Sequence, residues 1–202
     1  MRKLLKKIDG LLIVFALVWL FVAFVEASPL AESGGALLFT LIFWVSVIQG
    51  SVAAAAASDL IKARWVGSVR RQLISVYPLL LFTALLFLLL VPFVDSYPWV
   101  GRGGFWFSKG SFVLRNFLVL FVTYLAARRF AISAQRDDEK RHFHATLYLF
   151  AFVVSQSLIA FDWVMSLAHP WYSTLFGAYF FIEALYCGFA VSGVLYIFLY
   201  RR

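Results

Sequence analysis

The chain has 202 residues, 63% of them apolar, with 18 Lys and Arg against 10 Asp and Glu. Soluble domains average about half apolar, so this fraction, with a mean hydropathy of +0.89, excludes a soluble protein and predicts an all-α integral membrane protein. The net charge of +8 is not a nucleic-acid signature, because the basic residues flank apolar runs, where they set topology.

Six runs are long enough to span a membrane at about 20 apolar residues per crossing. They lie at roughly 9–27, 35–58, 73–94, 112–130, 143–164 and 174–200, and together form a single membrane domain over 1–202. Arg2, Lys3, Lys6, Lys7, Lys62, Arg64, Arg70, Arg71, Arg128, Arg129, Arg136, Lys140, Arg141, Arg201 and Arg202 fall on one side. Only Arg102 and Lys109 fall on the other, and Arg115 lies inside the fourth run. A bias of fifteen to two predicts that both termini are cytoplasmic. The first run has a second reading: a basic start, an apolar stretch and Val25-Glu26-Ala27 also fit a cleaved signal peptide, which would leave five spans.

The second run carries Ser46, Gly50 and Ala54 at four-residue spacing, a stripe that lets another helix approach closely. Asp59 follows near Lys62, where a solvated ion pair is expected. The third run reads as an unadorned spanning helix with Pro78 in its first turns. The segment 95–111, with Tyr97, Trp99, Phe105, Trp106 and Phe107, is too apolar for a free loop and is expected on the outer interface. The charged segment 128–142 reads as a solvated cytoplasmic surface. His142 and His144 are spaced i, i+2, which points them apart on a helix, and the lone Cys187 has no partner for a disulfide. The sequence thus offers no ligand set for a metal, haem or iron–sulfur cluster.

The densest group of functional residue types is Phe161 to Gly177, FDWVMSLAHPWYSTLFG, between the last two runs. It holds Asp162, Trp163, Met165, His169, Pro170, Trp171, Tyr172, Ser173 and Thr174. Pro170 disfavours helix at His169, and the aromatic residues suit the headgroup level. Glu183 lies about 13 Å further along the last run, counted from Thr174. An ionisable residue at that depth calls for a partner or a cavity, and Ser155, Gln156 and Ser157 are the expected partners. Tyr179, Tyr186 and Cys187 share its side of the helix, and Ala184, Gly188 and Ser192 form a second small-residue stripe beside it. The plain reading is a carboxyl hydrogen-bonded between helices. The sharper one is a proton path that joins Glu183, with Tyr179 and Tyr186, through Asp162 to outer water.

Phe161, Asp162, Trp163, Met165, Ser166, Leu167, Trp171, Ser173, Thr174, Phe176 and Gly177 make this stretch similar to the ActF subunits of alternative complex III. These are bacterial quinol:electron-carrier oxidoreductase subunits, also called quinone-binding subunit 2, and belong with the NrfD-like (polysulfide-reductase) membrane subunits. Trp65 with Arg70 and Arg71 resembles the family's aromatic-to-Arg-Arg turn. Phe105 to Arg115, then Arg128 and Arg129, resemble its aromatic loop and following helix. The chain departs at Ala168-His169-Pro170-Trp171, where the family reads acidic-Pro-His-Trp, so no role carries over to His169. The family chain is about twice as long, in two four-helix bundles. The resemblance therefore implies an N-terminal half: a split subunit, a shortened relative or a fragment, whose missing half would be a separate chain.

The resemblance implies a non-catalytic membrane subunit of a respiratory complex in a bacterial inner membrane. Other NrfD-like subunits would be its partners, haem and iron–sulfur clusters would sit in those partners, and quinone or quinol would meet it at an interface. In this chain Asp162 and Glu183 are the candidates for proton handling. The competing class is a self-contained six-helix transporter or channel, which should keep polar residues on several helices. The third and fourth runs read as nearly devoid of them.

Overall fold

The computed structural model describes residues 35–100 and 104–200, together with six helical positions between 13 and 24. The expected first span, 9–27, and its signal-peptide alternative fall outside the described residues apart from those six positions. Among the described residues every regular element is helical. Five helical stretches are long and apolar enough to cross a membrane: Gly35–Leu60, Arg70–Ser96, Lys109–Arg136, Arg141–Ala168 and Phe176–Phe198.

Helix α1 is Gly35–Leu60, and 15 of its 26 residues are buried. Ala53 to Ala56 are fully enclosed, as suits small side chains that gain little from facing lipid. The next crossing is segmented, which corrects the expectation of one plain helix. It comprises α2 (Arg70–Ser75), α3 (Pro78–Phe87) and a 3₁₀ stretch (Leu88–Ser96). Pro78 starts α3 because its missing N–H is harmless in a first turn, and Pro92 lies inside the 3₁₀ stretch, where an α-helical bond would be lost.

Helix α4 (Lys109–Arg136) is capped by Ser108, whose hydroxyl accepts from the Ser111 N–H, and it runs six residues beyond its expected end. It ends on Asp137 in the left-handed conformation. Helix α5 (Arg141–Ile159) continues through a π turn (Ala160–Val164) and a 3₁₀ turn (Met165–Ala168). After the cis His169–Pro170 bond the chain turns back into α6 (Phe176–Tyr200).

Helices α1, α3, α4 and α5 form the bundle, and α6 leans on α1 and α5 from outside. The two small-residue stripes meet each other. A Cβ on Gly50 would overlap the Ala184 carbonyl, and one on Gly188 would overlap the Gly50 carbonyl. Such backbone contact is the usual basis of tight association between helices in lipid. The stripes on α1 and α6 therefore satisfy one another at this crossing, with Ala184 and Ser192 buried beside it.

The end carrying residues 60–70 and 136–141 is basic. Asp59 is not a solvated partner of Lys62. It is buried and takes a 2.8 Å hydrogen bond from Arg70, with Arg141 at 3.5 Å. Arg141 also pairs with Asp137, so part of the charged segment expected to be plain solvated surface ties α1, α2, α4 and α5 together. The opposite end is aromatic: Trp99 and Tyr97 are buried against Phe112, while Phe105 and Trp106 remain exposed.

Candidate functional site

The site lies at the aromatic end, where α4 and the π turn after α5 face each other. Arg115 is seven residues into α4, about 10 Å below its start. Its Nε donates to Asp162 Oδ2 at 2.7 Å, and its guanidinium stacks over the Trp106 ring at 3.9 Å. A second donor comes from the next residue: Asn116 Nδ2 donates to the same Asp162 oxygen at 2.8 Å and to the Phe112 carbonyl at 2.9 Å. Asn116 Oδ1 in turn accepts from Trp163 Nε1 at 2.8 Å. Trp163 stacks on Phe87, with centroids 5.3 Å apart and planes within 4° of parallel.

This arrangement changes the expected part of Asp162. It is 3% exposed and held by two donors, where the sequence placed it in contact with outer water. Removing one member of such a pair strands the other charge in a low-dielectric interior, at a cost of about 3–5 kcal/mol. The Ser166 hydroxyl donates to the Asp162 carbonyl at 2.6 Å, which fastens the following 3₁₀ turn.

Beside the pair opens a cleft of about 250 Å³, lined by Trp106, Phe107, Phe161, Met165, Ser166, His169, Pro170, Trp171 and Tyr172. His169 stands edge-on to Phe107 at 5.8 Å. The Ser173 N–H points at the Met165 sulfur at 3.4 Å, and Trp171 packs edge-on to Phe176. Thr174 is exposed in the turn before α6. The motif residues therefore divide: Asp162 and Trp163 hold the bundle, while Phe161, Met165, His169, Pro170 and Trp171 wall the cleft.

Glu183 is not inside the bundle, contrary to the sequence expectation. It is exposed on the outward side of α6, with Tyr179 and Tyr186 beside it, and it makes a side-chain contact with Tyr179. The groups expected to answer it are engaged elsewhere. Gln49 Nε2 donates to Ser155 Oγ, and Gln156 Nε2 donates to Gln49 Oε1, both at 3.0 Å. Ser46 donates to Gln156 at 3.4 Å, and the Tyr148 hydroxyl donates to the Gln49 carbonyl at 2.7 Å. Ser157 lies against Gly177. Asp162 points into the bundle and Glu183 out of it, so the arrangement does not join them as one path.

The sequence reading missed three groups. Arg115, which the charge bias leaves aside, lies at the same end as Asp162 on a neighbouring antiparallel helix. Asn116 and Thr123, both buried on α4, contradict the reading of that helix as nearly free of polar groups. Gln49 and Tyr148 complete a mid-bundle amide network for which paired glutamines in two apolar runs were the available signal.

Neither a family model, a curated protein nor a solved structure matches this chain.

Proposed function

We propose that the chain is a non-catalytic membrane subunit of a respiratory quinol:electron-acceptor oxidoreductase of the alternative complex III kind. In this reading it sits in a bacterial inner membrane with its basic end cytoplasmic, and 9–27 supplies a sixth span. Haem and iron–sulfur clusters belong to partner subunits. The observation that carries the reading is the aromatic cleft beside the Arg115–Asp162 pair, within the stretch that resembles the ActF subunits. At about 250 Å³ the cleft is below the usual size for a drug-sized ligand, but it suits one planar ring between Trp106, Phe161 and Trp171. The chain would then supply a wall of a quinol head-group site, with the ion pair holding that wall in place.

The test has two parts. Solubilisation in mild detergent should yield this chain together with multihaem cytochrome and iron–sulfur subunits. In those membranes Trp106→Ala should raise the KM for quinol several-fold and leave subunit content unchanged. Co-purification with an unaltered KM would reduce the chain to scaffold.

A self-contained transporter or channel is the second reading. It draws on the polar groups at three levels: Asp59 with Arg70 and Arg141, Gln49 with Ser155 and Gln156, and Asp162 with Arg115 and Asn116. These groups are bonded to one another, which suits a structural part better than a transport route. Solute or proton flux through the purified chain alone in liposomes would favour this class.

A further inference from the structure

Helix α6 is covered unlike the other crossings. Only 17% of its most apolar stretch is buried, against 39–56% in the other four. Its open side presents Tyr179, Ile182, Glu183 and Tyr186, and the last is 75% exposed. Glu183 lies seven residues from the start of α6, about 10 Å along its axis, within a stretch long and apolar enough to cross a membrane. Acidic side chains in such stretches are rarely left to face lipid and are usually met by a donor.

Tyr179 offers Glu183 a hydroxyl but no charge, and the described cations at this end are engaged elsewhere. Lys109 is paired with Asp95, and Arg115 with Asp162. The N-terminal apolar run carries no cation between residues 10 and 25, and the residue that follows is Glu26. A second copy joined two-fold through the same face would bring Glu183 against Glu183, a like-charge pair. Arg102, the other cation of this end, lies outside the described residues, and like-charge repulsion disfavours a second copy.

We propose that the outward face of α6, centred on Glu183, is a docking surface for a transmembrane helix of another polypeptide that presents a Lys, Arg or His side chain at the depth of Glu183. Tyr179 and Tyr186 flank the carboxylate. Their rings offer apolar area and their hydroxyls further hydrogen bonds, the combination that suits aromatic anchors at interfaces. The proposal rests on the reading of the chain as one subunit of a larger membrane assembly, and it adds the face used and the chemistry of the neighbour.

The test is site-specific photocrosslinking in native membranes, with a benzophenone side chain at position 186. Matching probes go at Phe150 on α5 and Tyr172 at the aromatic end, both exposed. The expected result is a crosslink from position 186 to an apolar segment of one other polypeptide with a basic residue within a turn of the crosslinked site. Glu183→Lys should reduce that crosslink at least ten-fold. Reversing the partner's basic residue to Glu in the same strain should restore it. Crosslinks from 186 only to lipid, to residues 9–27 or to a second copy would overturn the proposal. So would a heterologous crosslink that survives Glu183→Lys. Crosslinks to another subunit from 172 or 150 but not from 186 would remove this surface and leave the assembly reading standing.

Discussion

Two carboxylates on the last two crossings, Asp162 and Glu183, meet opposite fates. Asp162 points into the bundle, where Arg115 and Asn116 hold the same oxygen at 2.7 and 2.8 Å. Glu183 points out of the bundle from a helix whose inner face is filled by the Gly50–Gly188 crossing. The difference comes from helix rotation. On α6 the small residues claim the packed side because they allow backbone contact, and that turns the neighbouring Glu183 outward. On the π turn Asp162 and Trp163 both reach Asn116, so the polar group is drawn in. A charge inside the bundle is answered by two donors of this chain, and the charge outside it has only the Tyr179 side chain as a partner among the described residues.

The comparison breaks most visibly if Asp162 loses its partner. Arg115→Leu should destabilise the isolated chain in detergent by about 3–5 kcal/mol, measured by thermal or denaturant unfolding. The double variant Arg115→Leu with Asp162→Leu should recover a large share of that loss, because neither charge is then stranded. Glu183→Leu should leave the same measurement nearly unchanged. Equal losses from Arg115→Leu and Glu183→Leu would erase the distinction between the two sites.

A smaller effect is expected at the crossing that sets the rotation of α6. Gly188→Val places a side chain against the Gly50 carbonyl and should cost about 2 kcal/mol or more through forced separation of the helices. It should also weaken a cysteine-pair crosslink engineered between α1 and α6. The mid-bundle amides come next. Gln49→Leu removes one partner from each of Ser155 and Gln156 and should cost about 1–3 kcal/mol, whereas Gln49→Leu combined with Gln156→Leu should cost less than the sum of the two. The smallest change belongs to Lys109→Ala. Its pair with Asp95 is largely exposed, and such pairs contribute at most about 1 kcal/mol, so the unfolding midpoint should barely move.

The crossings at 35–58, 112–130, 143–164 and 174–200 were legible because a membrane helix needs about 20 apolar residues in one run, and these runs are unbroken. The segmented second crossing was less legible. Pro78 and Pro92 announce breaks, but whether a proline kinks, caps or ends a helix depends on the neighbours that replace its lost hydrogen bond. The stretch 161–177 stood out by residue type, and it does supply both the ion pair and the cleft walls. Its partner set was not legible, since Arg115 and Asn116 lie more than forty positions away and only helix rotation shows that they face Asp162. The inward placement of Glu183 failed for the same reason. A carboxylate in an apolar run signals that a partner is needed, but not on which side it stands. The adjoining stripe of Ala184, Gly188 and Ser192 held the better information, because small residues mark the packed face.

The most direct test sets the two carboxylates side by side in native membranes. Membranes carrying Asp162→Leu or Glu183→Leu are solubilised in mild detergent and resolved by native electrophoresis, with the chain followed by an epitope tag. The melting temperature of each purified chain is measured in parallel. The account predicts that Glu183→Leu leaves the chain folded at the wild-type melting temperature but releases it from the large complex. It also predicts that Asp162→Leu lowers the melting temperature of the chain itself. A Glu183→Leu chain that migrates in a full-size complex, or that melts as early as Asp162→Leu, would contradict it.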